Sequence, residues 1–386
     1  MSLLEVVGQD SAIRLLLRAY QSQRMPHSYI FHGPEGVGKG LLARQWSKLL
    51  LCSQTQRRDW PADRPGGRDL GQYEDACGIC PDCHLVAAGN HPDLHIITKE
   101  LVKHTSQGRD RQTIELPIDV IREFVIEQAG VYPSRNRARI FIIEEADSMT
   151  RGAQNSLLKT LEEPPVNTFL FLLSEKIDRL LPTIRSRCQP VRFGSLPGEF
   201  LIQRLQEAGC PAAQAAYWSD FSEGSLGVAL ELAGLSLYEN KCELVRHLAE
   251  LEYDSVLETA GWLAEQAKEY AEKHLKANPD LSQSATVRRG QKFYLQMMAH
   301  AFHLVIRRLA ESSGIDGGAA DQAAEIDRMA RMFGLRGASQ AIRGTERAAR
   351  LLNQNVNVSL IFESLMLQCL NYSKKTKNAG TAKSRY

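Results

Sequence analysis

Short apolar runs alternate with helical periods through the first half of the chain. Tyr29-Ile30-Phe31 reads as a buried strand that leads straight into a glycine-rich loop. Residues 41–51 then read as a helix, with Leu42, Trp46, Leu49 and Leu50 on one face. Ile140-Phe141-Ile142-Ile143 reads as a second strand and Phe169-Leu170-Phe171-Leu172-Leu173 as a third. Strands separated by helices predict a parallel sheet covered on both faces. Residues 52–77 enclose a polar, Gly/Pro-rich stretch that reads as an inserted surface loop. Residues 99–111, with Lys99, Lys103, Arg109 and Arg111, read as another excursion.

From Leu196 the strand signals stop and helical periods take over, with residues 194–198 as a plausible hinge. A small helical unit is expected to about Leu237, and a longer all-helical stretch to about Tyr372, with apolar helices at 293–309 and 358–370. Residues 314–320 interrupt that stretch, and there is no repeat at a solenoid period. The expected organisation is α/β followed by all-α: 1–195, 196–237, 238–372 and a basic, disordered tail at 373–386, which holds Lys374, Lys375, Lys377, Lys383 and Arg385.

A chain of 386 residues is too long for one ordinary core, which agrees with several domains. The charged fraction of 24% and apolar fraction of 43% fit a soluble globular protein, and a net charge of +2 is too small to argue for nucleic acid alone. The start, MSLLEVVGQD, lacks the pattern of a signal peptide, and no stretch has the apolar length of a membrane span. Eight cysteines in a chain of this size do not resemble a secreted disulfide framework, so a cytoplasmic protein is expected.

The loop after the first strand is Gly33-Pro34-Glu35-Gly36-Val37-Gly38-Lys39-Gly40. Preceded by a strand and followed by a helix, it has the context a phosphate loop needs: the backbone N–H groups of Gly36, Val37, Gly38 and Lys39 would point at phosphates, and the Lys39 ammonium would bridge the outer ones. The pattern asks for Ser or Thr after the Lys, to ligate Mg²⁺; Gly40 stands there instead. The alternative is a glycine-rich turn that binds nothing. The second strand runs into Glu144-Glu145-Ala146-Asp147. With a phosphate loop present, Glu144 would take the metal role, where Asp is usual, and Glu145 the role of base toward water. Alone, they would read as two solvated acids.

Cys77, Cys80 and Cys83 place three thiols within seven residues, and Cys52 at the end of the loop's helix offers a fourth. Four thiolates suit a closed, structural Zn²⁺ site. His84 or His91 could stand in for Cys52. An iron–sulfur cluster is the rival, but the Cys-Pro that closes the bacterial ferredoxin run is missing. Unrelated thiols are the plainest alternative. Cys188, Cys210, Cys242 and Cys369 are scattered and read as small hydrophobes.

The run 153–165, AQNSLLKTLEEPP, resembles the helix of bacterial DNA polymerase III clamp-loader AAA+ subunits, and 181–188, LPTIRSRC, matches their Ser-Arg-Cys motif. Val7-Gly8-Gln9, Pro26-His27-Ser28-Tyr29 and the four cysteines fit the same family, although the spacing after Cys52 is longer than usual. The resemblance covers roughly residues 1–235, and the helical remainder chiefly through 353–370. It implies a RecA-like P-loop AAA+ domain with a zinc module at about 52–91, a small helical lid and a helical collar. It also implies membership of a five-subunit ring with gamma/tau and delta subunits that places a sliding clamp on primed DNA. In that ring Arg187 would act in trans on a neighbour's ATP, where a fixed cation stabilises charge on the transferring phosphoryl group.

The departures from the family pattern select the kind of subunit. The motor subunits carry Gly-Ser-x-Arg in the lid, with the Arg sensing the γ-phosphate; this chain has Gly224-Ser225-Leu226-Gly227. Gly40 and Glu144 are altered too, while Ser174 stands where a polar sensor is expected. An intact finger beside three altered hydrolytic parts implies a stator that serves a neighbour's site, binds ATP or ADP at most, has no polymerase site and turns over little or no ATP. The alternative is an ATP-hydrolysing gamma/tau-type motor. A zinc-bearing P-loop remodeller of another family is a remoter one.

Overall fold

The computed structural model describes residues 2–62, 64–65, 71–106, 115–135, 137–277, 283–310, 320–354 and 356–382. They form two compact units: residues up to Pro197 together with Gly224–Gly227, and Gly198–Glu223 together with the chain from Val228 onward.

The first unit is built on a five-stranded parallel sheet. Its strands are β1 (Ser28–His32), β4 (Leu94–Ile97), β5 (Arg139–Ile143), β6 (Thr168–Ser174) and β7 (Gln189–Arg192), in the order β4-β5-β6-β1-β7. Ser28 registers with Leu170 on one side of β1, and Tyr29 with Gln189 on the other. The central strands are nearly continuous apolar runs because both faces are covered, and side chains alternate between the two layers. Tyr29, Phe31, Ile140, Ile142, Phe171 and Leu173 enter a core with α1 (Asp10–Gln21) and α2 (Lys39–Leu51). Ile30, Phe141, Ile143, Leu170 and Leu172 enter the opposite core. There they meet the helical run 118–129, whose middle turn is π-helical, and the helix Arg151–Glu162.

Two strands carry no clear signal in the sequence. β7 reads Gln-Pro-Val-Arg and buries only Val191; as an edge strand it tolerates Pro190, which has no N–H to donate. β4 is the other edge, and only Ile97 in it is fully buried. The stretch expected as a surface loop is more ordered than its composition suggests. It holds an antiparallel hairpin, β2 (Gln56–Asp59) with β3 (Gln72–Asp75), and contributes Trp60 and Tyr73, packed edge to face at 5.7 Å, to the α1–α2 core. The cysteine-bearing helix α3 (Pro81–Ala87) follows. The helical run 118–129 is α4, Arg151–Glu162 is α5 and the short Pro182–Arg185 is α6. Residues 99–104 form a 3₁₀ helix, and Arg109 and Arg111 lie outside the described residues.

The second unit is helical: α7 (Gly198–Glu207), α8 (Ala212–Phe221), most of α9 (Leu226–Gly234), α10 (Tyr238–Ala249), α11 (Val256–Ala277), α12 (Gln283–Ala310), α13 (Ala323–Leu351) and α14 (Val358–Ala382). Lys241 is fully buried in it. Its ammonium lies 3.0 Å from Asp321 and over the rings of Tyr217 and Tyr238, at 4.8 and 4.6 Å. A counter-ion and two aromatic faces replace the water that a buried cation loses. The interruption expected at 314–320 lies outside the described residues, apart from Ala320, which opens a short 3₁₀ turn. The tail expected from residue 373 begins inside α14, whose backbone stays helical to Ala382; Lys383 and Arg385 lie outside the described residues. Among the described residues no helix is long and apolar enough to cross a membrane.

Trp46 is fully buried, with Tyr20 edge-on at 6.0 Å. Trp46→Ala is expected to lower unfolding free energy by about 3–5 kcal/mol through lost burial and a residual cavity. Urea denaturation measures this, and a loss below about 1 kcal/mol would contradict its place in the core.

Candidate functional site

The glycine-rich loop leaves the carboxyl end of β1, where open parallel sheets gather their ligands. Gly38, at φ 103°, caps α2 and turns the chain into it; an L side chain would be strained there. The first N–H groups of α2 have no partner within the helix and face the loop, as phosphate binding needs. Gly33 N donates to Ser174 O at 3.2 Å, tying the loop to the end of β6. The buried Gln9 secures the other side. Its Nε2 donates to Val37 O at 3.1 Å and Gly194 O at 2.8 Å, and its Oε1 accepts from Gly194 N at 3.1 Å.

Lys39 folds back onto its own loop. Its Nζ donates to Gly33 O at 2.6 Å and Pro34 O at 2.5 Å. Burial holds its pKa below the usual lysine value, against the opposing pull of Glu175, Glu35 and Asp147. These acids surround the ammonium, and burial, with Glu35 and Asp147 beside it, raises the Glu175 carboxyl in turn. A polyphosphate here would have to displace the two carbonyl contacts of Lys39. The Oγ of Ser174 is buried without a hydrogen-bond partner among the described residues.

The two acids after β5 are engaged in ion pairs. Glu144 accepts from Arg44 of α2 at 3.2 Å. Glu145 has φ 47°, unusual for a residue with a side chain, and both its carboxylate oxygens accept from Lys99 Nζ, at 2.7 and 3.0 Å. Asp147 accepts instead from Glu175 N at 3.1 Å.

Two glycines of this site differ sterically. A Cβ on Gly40 would find Leu173 Cδ1 at 3.7 Å, an ordinary contact. A Cβ on Gly227 would lie 2.9 Å from Gly36 Cα and 3.3 Å from Gly36 O, because the Gly227 N–H itself donates to Gly36 O at 3.0 Å. Backbone rests on backbone there, with no space for a side chain.

Arg187 stands just after α6. Its Nη1 donates to Thr183 O at 3.0 Å and Ser186 Oγ at 3.3 Å, and its Nη2 lies 2.6 Å from Glu162 Oε1. Gln154 of α5 holds the preceding segment, accepting from Leu181 N at 2.8 Å and donating to Met149 O and Arg179 O. Cys188 is buried, which pushes its thiol up to about 12. Cys369 is buried as well, while Cys210 and Cys242 are half-buried.

The Sγ atoms of Cys52, Cys77, Cys80 and Cys83 lie within 4.8 Å of one another, all buried, and these four residues can hold a metal ion. Cys52–Cys77 is 3.6 Å, while Cys52–Cys80 and Cys77–Cys83 are both 3.9 Å. Thiolates about 2.3 Å from a tetrahedral Zn²⁺ are separated by about 3.8 Å. Backbone N–H groups point at the sulfurs: Cys77 N to Cys52 and Cys80 N to Cys77 at 3.3 Å, Cys83 N to Cys80 at 3.4 Å. Burial pushes the Cys80 thiol up, yet hydrogen bonds from Ser53 and Cys83 outweigh it and bring it down to about 6. His91 is engaged elsewhere: its Nδ1 accepts from Asp93 N at 3.1 Å and its Nε2 lies 3.6 Å from Asp82. His84 is exposed on α3. Arg137 donates to the carbonyls of Cys52 and Ser53.

The sheet order, the loop at the end of the interior strand β1 and the helix rising from that loop define a P-loop protein of the AAA+ class. Residues 8–197 match the family model described as DNA polymerase III, delta subunit. DNA polymerase III subunit delta' of Pseudomonas aeruginosa is 32% identical over 233 residues, 58% of this chain and 61% of that protein. The subunit of the same name from Escherichia coli K12 is 31% identical over 218 residues, 56% of this chain and 57% of that one. Subunit gamma/tau of Mycobacterium tuberculosis is 30% identical over 196 residues, 51% of this chain and 29% of that protein. The chain thus spans less than two thirds of the length of these relatives.

No local sequence pattern gives Lys99, Arg44, Glu175 or Glu162 a role at the site. Glu162 lies inside the quoted AQNSLLKTLEEPP run, but its partner is 25 positions away. Gly40→Ser is expected to leave the melting temperature within about 2 °C of the parent, since the site has room. Gly227→Arg is expected to lower it by about 4 °C or more, because a backbone contact must open. Thermal denaturation of the two variants side by side measures the contrast; equal shifts would refute the steric difference.

Proposed function

We propose that the chain is a delta'-type stator of a bacterial DNA polymerase III clamp loader. In this reading it stands in a five-membered cytoplasmic ring with gamma/tau and delta subunits and lends Arg187 to the ATP of a neighbour while the ring places a sliding clamp on primed DNA. Residues 1–195 are the AAA+ domain, 196–237 the lid and 238–372 the collar. One observation carries the reading. Lys39 of the chain's own site is folded onto the carbonyls of its loop, and a side chain at Gly227 would meet the backbone of Gly36, while Arg187 is exposed. Gly40 offers no hydroxyl to Mg²⁺, and Gly227 leaves no place for a γ-phosphate-sensing side chain.

The residues that would touch a nucleotide are Gly33, Gly36, Val37, Gly38, Lys39, Gly40, Glu144 and Ser174, and they hold ATP or ADP without hydrolysing it. Glu145 is a base in vestige only. Arg187 acts by electrostatics: a guanidinium beside the neighbour's γ-phosphate stabilises negative charge as the phosphoryl group transfers. Cys52, Cys77, Cys80 and Cys83 hold one structural Zn²⁺, which staples β3 and α3 to the carboxyl end of α2.

The isolated protein is expected to show no ATPase above background; robust Mg²⁺-dependent turnover abolished by Lys39→Ala would instead make it a motor of the gamma/tau type. In a reconstituted loader, Arg187→Ala is expected to slow the one ATP site it serves by about 10³-fold while the ring still assembles. An unchanged single-turnover rate would remove the finger assignment. Protein purified without added metal is expected to carry one zinc per chain by mass spectrometry, and its stripping by a chelator to lower the melting temperature. Iron, or no metal, would overturn the zinc assignment.

A further inference from the structure

Glu162 is the last residue of α5. A carboxylate in a helix's final turn faces the negative end of the helix dipole, so helix stability does not account for it. What it does meet is Arg187 Nη2, at 2.6 Å. With Nη1 held by Thr183 O and Ser186 Oγ, the guanidinium is folded back against its own chain and its charge is answered by its own carboxylate. The two side chains are 35% and 49% exposed, so solvent screens the pair and it opens readily.

We propose that Glu162 is the resting counter-ion of the finger and competes with the neighbour's nucleotide for Arg187. This rests on the reading of Arg187 as a finger in trans. One ion pair is exchanged for another and no covalent bond changes. A γ-phosphate carries more charge than one carboxylate and displaces Glu162. After hydrolysis and phosphate loss, Glu162 takes the guanidinium back. Engagement of the finger thereby follows the charge state of the neighbouring site, and Glu162 is a positioning residue that never touches the nucleotide.

The test uses the complete reconstituted loader, with the apparent KM for ATP and kcat read separately. Glu162→Gln keeps the shape and removes the charge. It is expected to lower KM about two- to five-fold, the strength of an exposed ion pair, at unchanged kcat. Glu162→Ser, a second neutral variant, is expected to do the same, and Glu162→Asp, which keeps the charge, to stay near the parent. Glu163→Gln, at the exposed acid beside it, is expected to change nothing. In the double variant with Arg187→Ala the effect of Glu162→Gln should vanish, as coupling between the two residues requires. An unchanged KM, or a fall in kcat, in both neutral variants overturns the competition while Arg187→Ala still impairs the loader. If Arg187→Ala itself leaves the rate unchanged, the finger reading fails and the competition with it.

Discussion

Strand β1 has hydrogen-bonded neighbours on both edges and apolar cores on both faces. Ser28–His32 cannot slip by one residue without breaking two ladders at once and turning Tyr29 and Phe31 into the wrong layer. That fixed strand aims the glycine-rich loop, and the loop in turn sets where α2, Lys39 and Cys52 stand. Gln9 and Gly227 then press on the loop from two further segments. A loop held from so many directions keeps its form by itself.

In the proposed stator the charged groups of the chain's own site are partnered within the chain. Glu144, Glu145 and Lys39 are all present, and each finds a partner within the chain: Arg44, Lys99 and the loop carbonyls. Each contact is individually weak where it is exposed. Arg187 too has a partner within the chain, in a pair as exposed as Arg44–Glu144, and an incoming anion can compete for it.

The central strands were legible because burial on both faces demands unbroken apolar runs, and the sequence shows them at 140–143 and 169–173. The edge strands were not, since Gln189-Pro190-Val191-Arg192 needs apolar character at one position only. The Cys77–Cys83 spacing announced a cluster, while Cys52 could be joined to it only through its place at the end of a helix. Composition misled at 52–77, where a polar, glycine-rich text conceals two core aromatics, Trp60 and Tyr73. Pairings such as Lys99 with Glu145 or Arg44 with Glu144 join residues 46 and 100 positions apart, and no local pattern signals them.

The close approach of Gly227 to Gly36 has an evolutionary consequence. Position 40 can take a hydroxyl by one substitution, because the space beside Leu173 is open to it. Position 227 cannot regain a long side chain until the helix start backs away from the loop, and that movement gives up the hydrogen bond to Gly36 before anything replaces it. The two positions are therefore unequal. One is open to a single step of drift, and the other acts as a ratchet.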